Sequence, residues 1–349
     1  MTKHWLRMAV GPALLLTLGV VAPRCAQSQT VVNSSPVRVL DVRTHQKDVV
    51  PPVVTAVSIS SDGLWLAAGG DDHLVRIWNL VDGAPAGRLK GHSDWVRSVA
   101  FEPSNARLAS AGDDRSIVLW DCKSQRVSLT MLDPNQVVYG IDFTPDGNHL
   151  AASGFGEKVH LFDARSGALV KELEGPGPDN RALAISPDGR LLAVGGRQGR
   201  LRIWKLPEGE MVHDIKTDNL RIRCIAFSPD GKQLASAGDG RRIRVFNADT
   251  GDAIADLPSR GKTLALTYCT AGKLAVGGSD NLIRIWDVAG GVEELRMAGH
   301  AGSVSSLAFH AETGVLASGS FDTTVRIWDL TRQGQGKRVR QAANPQPPR

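Results

Sequence analysis

Cysteine is scarce: positions 25, 122, 224 and 269 hold the only four in 349 residues, with no CxxC or CxxCH spacing. Neither a disulfide framework nor covalent haem attachment is signalled. Cys122, Cys224 and Cys269 read instead as small buried hydrophobes. Tyrosine occurs twice and phenylalanine eight times, whereas glycine occurs 37 times. Few large rings and many glycines suit short strands joined by tight turns. No HxxEH or other metal-ligand spacing links His45, His73, His149, His160, His213 and His310. No GxSxG elbow and no P-loop occur. Gly69-Gly70, Gly195-Gly196 and Gly277-Gly278 recur at one offset, which marks strand-and-turn glycines rather than phosphate cradles. No cofactor, metal or catalytic residue is therefore expected.

Charge of one sign is also missing from the middle of the chain. The formal net charge is +5, but Lys3, Arg7 and Arg24 lie near the start. Arg332, Lys337, Arg338, Arg340 and Arg349 lie in the last eighteen residues, with no acid among them. What remains is slightly acidic, so no nucleic-acid-binding core is indicated.

Long apolar runs are absent except at Met8–Ala22, which follows the basic Lys3 and Arg7 and precedes Ala26-Gln27-Ser28. That order reads as a cleaved secretory signal over 1–28, the apolar run being short for a membrane span. The alternative is a retained anchor. A lipidated Cys25 is disfavoured because Arg24 stands where a small residue belongs. The expected compartment is secreted or periplasmic, with no membrane contact after cleavage. Asn33-Ser34-Ser35 fits a glycosylation sequon that only a eukaryotic secretory route would use.

With hydrophobic residues at 42% and charged residues at 22%, a buried core is feasible. The chain writes one phrase seven times: HLVRIWNL, RSIVLWDC, EKVHLFDA, GRLRIWKL, RRIRVFNA, NLIRIWDV and TTVRIWDL. Its aromatic falls at Trp78, Trp120, Phe162, Trp204, Phe246, Trp286 and Trp328, at spacings of 42 except for one of 40. Around each aromatic come an apolar run, a turn such as SPDG or TPDG, a small-residue run such as LASAG, a second turn, the phrase itself and a more variable fourth segment such as GRLKGH or ALVKEL. Each run alternates apolar and polar residues over four to six positions, as half-buried strands do. A four-stranded sheet cannot hide both faces alone, so seven must stack, and a radial stack closes a ring.

These residues resemble the WD-repeat (WD40) family, in a secreted or periplasmic, bacterial-type version. The resemblance implies an all-β, seven-bladed propeller over 53–331, or 36–331 with a closing strand. That strand, VRVLDV at 37–42 within an N-terminal segment 29–52, is expected to complete the last blade. The basic segment 332–349 is expected to be a disordered tail. The resemblance further implies a buried network of His, Ser, Asp and Trp. His92, Ser110, Asp114 and Trp120 match it in unit two, and His300, Ser318, Asp322 and Trp328 in unit seven. Gly156, Gln198 and Gly240 replace the turn Asp in units three, four and five. A repeated His/Ser/Asp set of this kind is scaffold rather than a catalytic triad.

In the family, partner contacts come from the residue opening each innermost strand and the residue before the turn Asp. Carried over, the first set is Val53, Trp95, Val137, Asp179, Arg221, Lys262 and Ser303; the second is Asp71, Asp113, Phe155, Arg197, Asp239, Ser279 and Phe321. Trp95, Phe155, Arg197, Arg221 and Phe321 are the candidate protein-binding residues, because aromatic and Arg side chains anchor interfaces. Packing of the aromatics over neighbouring loops is the competing explanation. The expected function is a non-catalytic scaffold for a protein or peptide partner. The alternatives are an axial-site propeller enzyme, such as a hydrolase or lactonase, and a purely architectural envelope module.

Overall fold

The computed structural model describes residues 32–42, 51–132, 136–218 and 220–331. The signal segment 1–28 and the tail 332–349 lie outside these. Every regular element among the described residues is a strand. Each of the first six repeats supplies four antiparallel strands to a blade in chain order, and the seventh supplies three. Blade two shows the pattern: Val96–Phe101 innermost, then Arg107–Gly112, Ser116–Asp121 and Arg126–Leu132 outermost. Neighbouring innermost strands pack together around the ring, and Val304–His310 of blade seven meets Val54–Ile59 of blade one.

Local chemistry sets the turns. In SSDG, TPDG and two SPDG segments, the Gly adopts a positive φ, for example 69° at Gly63 and 71° at Gly231. Ser60 donates its hydroxyl to Asp62 Oδ1, which also accepts the Leu64 amide. Ser60 Oγ in turn accepts the Trp65 amide, so one hydroxyl and one carboxylate take up two amides of the corner.

The second strand of each blade is covered on both faces, hence its small residues. Arg107–Gly112 is buried at five of six positions. A Cβ on Gly112 would lie 2.1 Å from the Trp95 carbonyl oxygen, so no larger residue fits there. Apolar side chains interleave between adjacent blades. One such cluster joins Ala317, Val325 and Ile327 of blade seven to Val54, Val57, Leu66 and Trp78 of blade one.

The closing strand is Arg38–Asp41, which pairs antiparallel with Thr324–Asp329 as the outer strand of blade seven. It is one residue shorter at each end than expected, although the Val37 and Val42 amides still bond to the Ile327 and Thr323 carbonyls. Ahead of it, Val32–Ser34 adds a parallel fifth strand to blade six, beside Val292–Met297. This strand was not expected, because three residues are too few to show a period.

Side chains on innermost strands also pin the next blade. Ser58 Oγ accepts the Phe101 amide, and Asp142 Oδ2 accepts the Ile185 amide at 2.9 Å. Burial pushes the Asp142 carboxyl up to about 6, with the Ile185 and Phe143 amides pulling the other way. A carboxyl raised in the fold favours folding most below its unfolded value near 3.8, and that contribution is lost as pH rises toward 6. Asp142→Asn keeps an acceptor and removes the charge. It should raise unfolding free energy at pH 8 by on the order of 2 kcal/mol, with the gain shrinking toward pH 4.5. Urea titrations at both pH values measure this; an equal effect at each would mean that the charge is not the cause.

Candidate functional site

The two loop sets predicted to carry contacts meet at one end of the ring. Trp95 O accepts the Asp113 amide, Val137 O that of Phe155, Arg221 O that of Asp239 and Ser303 O that of Phe321. Trp95, Phe155 and Phe321 are 38%, 39% and 48% exposed. Trp95 has the Arg97 guanidinium 4.4 Å from its ring, and Phe155 has Arg181 at 4.8 Å and Tyr139 edge-on at 5.1 Å. Phe321 makes no ring or cation contact among the described residues. Ring and cation contacts thus hold part of Trp95 and Phe155, and none of this kind holds Phe321 among the described residues.

The two arginines differ. Arg197 is exposed and has no hydrogen-bond or ion-pair partner among the described residues. Arg221 is half-buried and ion-paired. Its Nη2 lies 2.8 Å from Asp179 Oδ2 and its Nη1 3.9 Å from Asp239 Oδ2. Asp179 is itself buried. Arg221 therefore bridges two carboxylates and helps to order the face.

The channel mouth is built by residues that the sequence reading passed over, two positions further along each innermost strand. A cavity of about 180 Å³ is lined by Thr55, Arg97, Tyr139, Arg181, Arg223, Leu264 and Ser305, one from each blade, together with Phe321. Arg97 donates through Nε and Nη2 to Asp113, at 2.8 and 2.5 Å. Arg181 Nε donates to Asp179 and Arg223 Nε to Asp239. Burial disfavours the Asp239 carboxylate, but the Arg223 bond and nearby Lys262 and Arg221 hold its pKa below the usual range. Tyr139 lies between cations, with Arg97 at 5.0 Å and Arg181 at 4.4 Å from its ring. The signal was present in the sequence: Arg, Tyr, Arg and Arg occupy one repeat offset in blades two to five, where core packing has no need of them.

Beneath the same loops, both His/Ser/Asp/Trp sets are hydrogen-bonded networks. His92 Nε2 is 2.7 Å from Ser110 Oγ, and its Nδ1 is 2.9 Å from Asp114 Oδ2. Trp120 Nε1 donates to Ser110 Oγ at 2.8 Å. His300, Ser318, Asp322 and Trp328 repeat this at 2.7, 2.8 and 2.9 Å. Tryptophan only donates and a carboxylate only accepts, which assigns the neutral imidazole proton to Nδ1 and points the Ser hydroxyl at Nε2. Burial pushes the His300 pKa down despite Asp322, which keeps the ring neutral. The Ser oxygen is thus engaged by Trp and His, and the arrangement supports the fold rather than presenting a nucleophile. In blades three and five the turn carries Gly, not Asp. A Cβ at Gly156 would lie 2.4 Å from Gln136 Oε1, and one at Gly240 2.8 Å from Asp218 Oδ2, so neighbouring polar side chains occupy that space.

The described cysteines carry no disulfide. Burial pushes the Cys122 and Cys269 thiols up to about 11 and about 12. Among the described residues no three His, Cys, Asp or Glu side chains gather to hold a metal ion. A larger apolar cavity of about 450 Å³, bordered by Cys269, Ile285, Leu295, Phe309 and Leu330, lies between blades six and seven. It sits at the far ends of the same strands.

Comparison with known proteins agrees with this architecture. The family described as WD domain, G-beta repeat matches residues 35–79, 83–121, 127–163, 209–247 and 292–329. The anaphase-promoting complex subunit 4 WD40 domain matches 174–225. Nuclear distribution protein PAC1 of Coprinopsis cinerea is 45% identical over 42 residues, which is 12% of this chain and 10% of that protein. That stretch equals one repeat period, so the likeness is of a single blade and the match spans about a tenth of the relative's length. Seven blades of one repeated design, closed by an N-terminal strand and matched by the family over more than half of the chain, make this protein a member of the WD-repeat family.

Proposed function

We propose that the protein is a non-catalytic scaffold that holds a protein or peptide partner on the face carrying Trp95, Phe155 and Phe321. WD40 propellers generally bind protein partners. The observation that carries the reading here is three large apolar side chains exposed together around an arginine-lined mouth. The side chains lining that mouth are arginine, tyrosine, hydroxyl and apolar, and the carboxylates next to them, Asp113, Asp179 and Asp239, are taken up by the arginines. An axial hydrolase would need convergent acid and base groups there.

Replacing Phe321, Trp95 or Phe155 by Ala should weaken capture of the partner at least tenfold, since one buried aromatic contributes on the order of 2 kcal/mol. The melting temperature should hold within a few degrees, with Phe321→Ala moving it least. Affinity capture with the wild type and each variant, paired with thermal melts, measures both. Lost stability with retained capture would favour rim packing instead. The basic-apolar-small order at 1–28 supports export from the cytoplasm. Sequencing the amino terminus of the mature protein should find a start near Gln29; an intact Met1 on cytoplasmic protein would refute export.

A further inference from the structure

The three mouth arginines are held sideways, not neutralised head-on. Asp113 takes Nε and Nη2 of Arg97, Asp239 takes Nε and Nη2 of Arg223, and Asp179 takes Nε of Arg181. Among the described residues, Nη1 of Arg97, Nη1 of Arg223 and both Nη atoms of Arg181 make no hydrogen bond. The three side chains border one cavity. Two hydroxyls beside them, of Thr55 and Ser305, already donate to backbone carbonyls. The mouth is thus a cup whose unused hydrogen-bonding capacity is mainly donor.

We infer that this cup takes a single carboxylate, the side chain of a Glu or Asp in an acidic peptide segment of the partner. The inference rests on the scaffold reading and adds the chemistry of the inserted residue. Three observations select it. The rings of Trp95, Tyr139 and Phe155 already have guanidinium groups against them, so a ligand cation would compete with Arg97 and Arg181 for those rings. Arg97, Arg181, Arg221 and Arg223 pair with only three aspartates, and Lys262 also lies near Asp239, so the cup favours an anion. Finally, the guanidinium fork suits a planar carboxylate bidentately, and Phe321 on the same rim offers apolar contact to the flanking peptide.

The test uses the full chain labelled with [15N]arginine and the small probe N-acetyl-glutamate amide at constant ionic strength. The guanidinium signals of Arg97, Arg181 and Arg223 should shift saturably in the millimolar range. N-acetyl-glutamine amide should produce no saturable shift. Arg181→Gln and Arg223→Gln, each checked for an unchanged fold by its melt, should weaken binding about tenfold. Four results would overturn the proposal: no saturable shift up to about 50 mM, equal binding of the glutamine probe, tighter binding of inorganic phosphate at pH 8, or tighter binding of N-acetyl-lysine amide. Partner capture by the aromatic residues does not use these probes, so it can stand if the carboxylate assignment fails.

Discussion

A chain that starts at Arg43 should melt about 15 °C or more below one that starts at Ser35, and should scatter light as it unfolds. Both lack Val32–Ser34, but only the shorter chain lacks Arg38–Asp41, the outer strand of blade seven. That strand and the residue after it place Leu40 and Val42 in the cluster between blades seven and one, 5% and 3% exposed. Two such side chains contribute roughly 2–3 kcal/mol each. Loss of the ladder along Thr324–Asp329 removes several further bonds at about 1 kcal/mol each. Arg38 also reaches across to blade one, where its Nη atoms donate to the Leu80 and Val81 carbonyls at 3.1 Å. The sum is roughly 8 kcal/mol, and a chain this long shifts by about 2 °C for each. The exposed edge of Thr324–Asp329 would then be free to pair between molecules.

The chain starting at Ser35 should stay within a few degrees of one that keeps Val32–Ser34. Its blade six simply ends at Val292–Met297, as blades one to five end at their own fourth strands. Melts followed by circular dichroism and light scattering separate the two truncations. Equal losses would mean that closure does not depend on Arg38–Asp41.

The blades, turns and closing strand could be read in the sequence because each is written many times or in period-2 form. Seven aromatic positions at a nearly constant spacing leave little freedom in topology. The site was only half legible for a physical reason. Repeat alignment locates loop residues such as Trp95 and Phe321, but it does not say which side chain along an innermost strand turns into the channel. Thr55, Arg97, Tyr139, Arg181, Arg223, Leu264 and Ser305 share an offset yet differ in chemistry, and only the packed ring brings them together. The ion pairs of Arg221 were not legible either, because its carboxylate partners Asp179 and Asp239 stand in other loops, 42 and 18 positions away in sequence.

Trp120→Ala and Trp328→Ala should each cost about 4–5 kcal/mol, and Trp286 shows why the polar network adds to the cavity. All three rings are 6% exposed or less and fill the same place in their blades. Trp120 and Trp328 donate to Ser110 and Ser318, which His92 and His300 also engage. In blade six Val276 stands where the serine would be, opposite Arg284, and Trp286 Nε1 is buried without an acceptor. Truncation to Ala opens a cavity at every site, worth roughly 3–5 kcal/mol. Phe keeps most of the ring and isolates the bond. Trp120→Phe and Trp328→Phe should therefore lose about 1 kcal/mol more than Trp286→Phe, since only they leave a serine short of its donor. Trp286→Phe removes a donor that has no acceptor and should be close to neutral. Urea unfolding of the three Phe variants and the matching Ala variants measures the difference. If Trp286→Phe proves as costly as the other two, ring volume alone explains the position and the hydrogen-bonded network contributes nothing to stability.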